Sequence, residues 1–127
     1  MPKQNTERAA FGRNGEAAAA LYYLQKGCRL LAHGWRTRLG ELDLVLLDGG
    51  TLVFAEVKTR SRYASGWGAP GEAVGPAKRR RLLLAARQYL AASPCREWPV
   101  RFDVVEVSPA EGGGFLVHCI KGAFEAD

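Results

Sequence analysis

Glu41-Leu42-Asp43-Leu44-Val45-Leu46-Leu47-Asp48-Gly49-Gly50-Thr51-Leu52-Val53-Phe54-Ala55-Glu56-Val57-Lys58 is the stretch on which the reading of this chain turns. Two apolar runs of strand length, Glu41 to Leu47 and Thr51 to Lys58, flank Asp48-Gly49-Gly50. A Gly-Gly pair favours a tight hairpin turn because both residues accept positive φ. Leu42, Leu44, Leu46, Leu52, Val53, Phe54, Ala55 and Val57 make both runs apolar on nearly both faces, the pattern of a central buried strand pair. Charged residues set into such strands cost stability unless they are paired or used.

Counting outward from Gly49-Gly50, Asp48 faces Thr51, Asp43 stands opposite Glu56, and Glu41 stands opposite Lys58. Glu56 and Lys58, two apart on one strand, share a face. Like charges directly opposite one another destabilise a sheet, so Asp43 against Glu56 calls for compensation. A hard divalent cation held by both carboxylates supplies it, and Mg²⁺ or Mn²⁺ is the expected cofactor. Such a cation polarises a phosphodiester and lowers the pKa of an attacking water. Lys58 is then placed to orient that water or to stabilise charge on the phosphate, with Glu41 holding it. Alone, a Glu-x-Lys pair would be read as an ion pair on an exposed strand; the apolar setting favours a site.

Working outward, Asn14 is the expected N-cap of a first helix, with Glu16 in its first turn and Ala17, Leu21, Leu24 and Cys28 at helical spacing up to a stop at Gly27. Cys28 to Trp35 is compatible with a strand, and Arg36 to Gly40 with a connection. Beyond the hairpin, residues 59–76 form a long Gly, Pro and Ser-rich loop carrying Tyr63 and Trp67, of the kind that is usually functional. Pro76 suits the first turn of a helix over Ala77 to Ala92 with an apolar stripe of Leu82, Leu83, Ala86, Tyr89 and Leu90. Ser93-Pro94 ends it. Val100 to Val107 and Phe115 to Ile120 alternate as two further strands, joined by Ser108 to Gly114.

A length of 127 residues suits one α/β domain, with residues 1–10 as a candidate disordered tail. No apolar run approaches the roughly 20 residues that span a bilayer, and Met1 to Arg13 carries no apolar segment of a signal peptide, so no membrane association and a cytoplasmic location are expected. Cys28, Cys95 and Cys119 are read as free thiols, and His33 and His118 as structural. Trp35, Trp67 and Trp98 are read as packing residues, Trp67 being the one to test for base stacking. Asp103, alternating with apolar neighbours, is read as structural. The net charge of +5 matters for its placement: Lys58, Arg60 and Arg62 follow one strand, and Lys78, Arg79, Arg80 and Arg81 open a helix. Those are candidate phosphate contacts to DNA.

Gly12-Arg13-Asn14-Gly15-Glu16, Gly40-Glu41-Leu42-Asp43-Leu44-Val45 and Val53-Phe54-Ala55-Glu56-Val57-Lys58-Thr59-Arg60 resemble the signature blocks of the YraN-like uncharacterised protein family 0102. Pro76 to Leu82, Phe102-Asp103-Val104-Val105 and Lys121 to Phe124 extend the resemblance over nearly the whole chain. The family is similar to archaeal Holliday-junction resolvases and restriction-type endonucleases of the PD-(D/E)XK superfamily. The resemblance implies a restriction-endonuclease-like mixed central sheet flanked by helices. It also implies a metal-dependent endonuclease acting on DNA, branched repair or recombination intermediates included, with a homodimer as the unit. Asp43, Glu56 and Lys58 take the superfamily's catalytic positions, and Glu16 takes the helix-one glutamate that joins Asp43 and Glu56 at the metal. Leu42 stands where the superfamily usually has proline, and Gly122 where the family tail usually has asparagine. The rival readings are a non-catalytic nucleic-acid-binding module of the same fold and, second, a protein-interaction domain.

Overall fold

The structure, a computed structural model, describes residues 2–60, 75–94 and 97–125, with side chains from residue 14 onward. Its elements run α1 (Pro2–Gln25), β1 (Arg29–Arg36), β2 (Glu41–Asp48), β3 (Thr51–Thr59), α2 (Pro76–Ala91), β4 (Val100–Pro109) and β5 (Phe115–Phe124). The strands form one sheet in sequence order, antiparallel except for β3 and β4, which run parallel with Glu56 beside Val104 and Lys58 beside Glu106. A parallel pair cannot be joined by a tight turn, and the chain between β3 and β4 carries α2 across one face. The result is an α/β mixed sheet with a helix on each side, as expected.

The hairpin forms in the expected register, from Asp48↔Thr51 to Leu44↔Ala55. Only Gly49 uses the left-handed region, at φ +60. α2 places Pro76 at its start and buries Leu82, Ala85 and Ala86 against Leu42, Val45, Leu52, Phe54, Phe102, Val104 and Phe124. Within this layer Phe54, Phe102 and Phe124 stack in series, and Tyr89 sets its ring edge-on to both Phe54 and Trp35.

α1 differs from its expected form at both its start and its face. It begins at Pro2 rather than at an Asn14 cap, because Glu7, Arg8, Ala9 and Ala10 are good helix formers and carry the helix through Asn14. The face that meets the sheet is Gly15, Ala19 and Tyr23, all buried, whereas Leu21 and Leu24 are exposed. Small residues let the helix lie close to β3, and Tyr23 is drawn inward by a buried partner: its hydroxyl donates to Asp103 at 2.8 Å. Gly27 stops the helix as expected, at φ +91, with the Gly27 N–H on the Leu24 carbonyl and the Cys28 N–H on that of Tyr23.

Asp103 is fully buried yet fully used. It accepts from Tyr23, from both Nε and Nη2 of Arg101, and from the Gly122 N–H, while Arg101 Nη1 reaches Asp48 at 3.0 Å. This network ties α1, β4, β5 and the hairpin end together, which bears out the structural reading of Asp103. Gly122 takes φ +59, a left-handed conformation in which glycine and asparagine are the favoured residues, so a glycine in place of asparagine there is conformationally equivalent. Cys28 is buried and Cys119 half-buried, both free thiols. Cys95, Tyr63, Trp67, Arg62 and the loop that carries the last three lie outside the described residues.

Candidate acidic site at the splayed end of the hairpin

The β2–β3 ladder stops at Leu44↔Ala55, one pair before Asp43. Leu42 packs in the α2-side core and Leu44, two residues on, packs in the α1-side core, so the alternation of β2 breaks at Asp43. Asp43 itself fills the gap: its Oδ2 accepts the Val57 backbone N–H at 2.9 Å. The carboxylate thus replaces a ladder carbonyl and is held at the mouth of the opened strands.

Glu56 is buried beside it. Its Oε2 lies 3.2 Å from Lys78 Nζ, and its Oε1 is buried with no hydrogen-bond partner among the described residues. Burial first, and then the charge of Asp43, push the Glu56 carboxyl up to about 7. Asp43 is raised as well, chiefly by burial, against the lowering effect of the Val57 N–H and of the neighbouring Glu56 carboxyl. Two neighbouring carboxyl groups in a desolvated setting share a proton unless a cation takes its place.

Glu16, on α1, is half-buried and raised by burial, then by Asp43 and by Glu41, so the structure brings it to the flank of the pair. What lets it come near is the residue before it. A Cβ on Gly15 would overlap the Thr59 side-chain methyl of β3, so only glycine allows α1 this approach. Gly15→Ala should therefore destabilise the fold by about 1–2 kcal/mol, the overpacking loss exceeding the helix-propensity gain of roughly 1 kcal/mol. Thr59→Ser, which deletes that methyl, should restore most of it; urea unfolding of the single and double variants measures both, and additive losses would refute the contact.

One expectation is corrected by the geometry. Glu41 does not hold Lys58: its carboxylate pairs with Arg36 Nε at 2.9 Å on the neighbouring β1, because the break at Asp43 ends the count that set Glu41 against Lys58. The ion partner of Glu56 is Lys78, and no salt bridge among the described residues involves half-buried Lys58. Arg60, expected to meet phosphate, turns its largely buried guanidinium to Glu106 at 3.1 Å. Of the α2 cations, Lys78 is committed to the acid pair, Arg79 lies over the Phe124 ring, and Arg80 and Arg81 are exposed. The part played by Lys78 carries no local sequence signal, since it arises only when α2 crosses the β3 face.

The donor set suits a hard cation: oxygen ligands, desolvation, like charge and one orphaned carboxylate oxygen. Among the described residues no three of Asp, Glu, His and Cys close into a ready coordination cluster, so Asp43 and Glu56 are the core of the site and Glu16 its flank.

Fold and site together define a small α/β domain with a buried carboxylate pair and two adjacent lysines where a mixed sheet splays open. The chain belongs to the Uncharacterised protein family UPF0102, whose sequence profile matches residues 15–107. It is 49% identical over 117 residues to a UPF0102 protein of Symbiobacterium thermophilum, covering 91% of this chain and 96% of that one. Relatives from Anaeromyxobacter dehalogenans and Pseudomonas syringae pv. syringae are 44% and 40% identical, over 94% and 97% of this chain and 87% and 99% of theirs. No helix among the described residues is long and apolar enough to cross a membrane.

Proposed function

We propose that this protein is an Mg²⁺- or Mn²⁺-dependent endonuclease of the restriction-endonuclease-like PD-(D/E)XK type, hydrolysing phosphodiester bonds in DNA. The observation that carries the reading is the Asp43–Glu56 pair: two desolvated neighbouring carboxyls where the ladder opens, Asp43 held on the Val57 N–H and Glu56 Oε1 unpartnered among the described residues. A structural role would pair them fully, as Asp103 is paired. Asp43 and Glu56 would hold the cation, with Glu16 completing its acidic surround. The bound cation would supply Lewis-acid activation of the phosphodiester and of the attacking water. Lys58, on the same strand face as Glu56 and outside any salt bridge among the described residues, is placed to stabilise negative charge on the phosphate. Lys78 serves as counter-ion to Glu56.

The test is a cleavage assay over branched, nicked and linear DNAs with Mg²⁺ or Mn²⁺, run beside Asp43→Asn. At least one DNA should be cut in a metal-dependent manner and Asp43→Asn should abolish it. Binding without cleavage of any DNA would replace the enzyme with a binding module.

A further inference from the structure

Beside the acid pair lies a cleft of about 410 Å³ between the β1–β2 turn and the first turns of α2. Arg36, Arg38, Lys78 and Arg81 line it, with Glu41 as the one acidic residue. Arg36 is taken by Glu41 and Lys78 by Glu56. Arg38 and Arg81 are exposed and have no carboxylate partner among the described residues. Two uncompensated guanidinium groups lining one cleft give it a positive potential that favours an anion there.

The turn carrying Arg38 is braced rather than slack. The Thr37 N–H donates to the Gly40 carbonyl at 2.8 Å, and the Leu39 and Gly40 N–H groups donate to Thr37 Oγ1 at 3.0 and 3.1 Å. Gly40 also fixes the turn against α2, for a Cβ there would stand 2.7 Å from the Arg81 carbonyl oxygen. The glycine that begins the second signature block thus sets the floor of the cleft. Lys78 links cleft to site: it lines the one and lies 3.2 Å from Glu56 in the other.

On the nucleic-acid reading above, we propose that this cleft is a phosphodiester-binding subsite, in which Arg38 and Arg81 seat a backbone phosphate of the strand whose neighbouring phosphate lies at Asp43 and Glu56. Guanidinium forks match phosphate oxygens, and an open, multiply cationic cleft suits a linear polyanion better than a small one. The sequence alone conceals it, since Arg38 sits in a four-residue connection far along the chain from Arg81.

The experiment measures binding of a fluorescent DNA duplex in EDTA, so that no metal chemistry enters. Arg38→Ala/Arg81→Ala is compared with Arg29→Ala/Arg87→Ala, which removes the same charge from exposed positions elsewhere. The cleft pair should weaken binding by about 10-fold or more and reduce the log-log salt slope by about 0.9 for each lost contact, with a smaller loss in the control. A methylphosphonate at the seated position should weaken the parent and not the cleft variant. Equal losses in both variants, or none in the cleft pair, overturn the subsite while leaving the cleavage reading to its own assay. Parent protein that binds no DNA overturns both. Inorganic phosphate bound as tightly as DNA overturns the strand assignment.

Discussion

Glu56→Gln should make the metal-free protein more stable than the parent above about pH 7 while weakening Mn²⁺ binding by about 10²-fold or more. The two effects have one cause. In the folded chain the Glu56 carboxyl is pushed up to about 7 by burial and by Asp43, from an ordinary 4.5. A carboxyl raised on folding binds protons more tightly in the native state, so its contribution to stability is fully present below about 4.5 and is lost as pH rises through about 7. The loss is at most about 3.5 kcal/mol, since the rise from 4.5 to about 7 is worth about 1.4 kcal/mol per pKa unit. Glutamine removes that titration and can donate a hydrogen bond to Asp43, but it cannot supply an anionic ligand. Melting in EDTA from pH 5 to 8 should show the parent declining and the variant declining less, Asp43 and Glu16 retaining their own raised values. Calorimetry with Mn²⁺ reads the other half. Parallel melting curves together with unchanged metal affinity would remove the pair from the site.

Short-range rules made the hairpin legible, because Gly49-Gly50 fixes the register and a register error would turn every side chain to the wrong face. They also marked Asp43 and Glu56 as neighbours. What they could not show is that β2 breaks its alternation at Asp43, since the break comes from that side chain competing for the Val57 N–H. Every pairing counted beyond that point was lost with it, Glu41 with Lys58 among them. α1 went wrong for a different reason. An apolar stripe of Leu21 and Leu24 outranks Gly15 and Ala19 in any hydrophobic count, yet close packing selects the small residues, and Tyr23 is selected by Asp103 on β4, far away in sequence. The cations of α2 were visible as a cluster, but their division between acid pair, aromatic ring and cleft is tertiary.

Lys58→Met should lower single-turnover cleavage by about 10²-fold or more, with little change in metal or DNA affinity. Methionine keeps much of the apolar stem and removes the charge. The structure sharpens this because it offers a second lysine at the same carboxylates as a control. Lys78 is the ion partner of Glu56 and lowers the Glu56 and Asp43 carboxyls, so Lys78→Met should raise both, moving metal binding to higher pH and changing the melting profile. Lys58 makes no salt bridge among the described residues, so its loss should leave that profile in place. One lysine then acts on the ground state through the protonation of the pair, the other on the transition state through charge on the phosphate. The separation is measured by single-turnover rate and melting temperature against pH, on the same preparations at saturating Mn²⁺ for the rate. If Lys58→Met shifts the melting profile and cuts at the parent rate per folded molecule, Lys58 is a structural counter-ion and the catalytic cation must be sought at Lys78, which already stands 3.2 Å from Glu56.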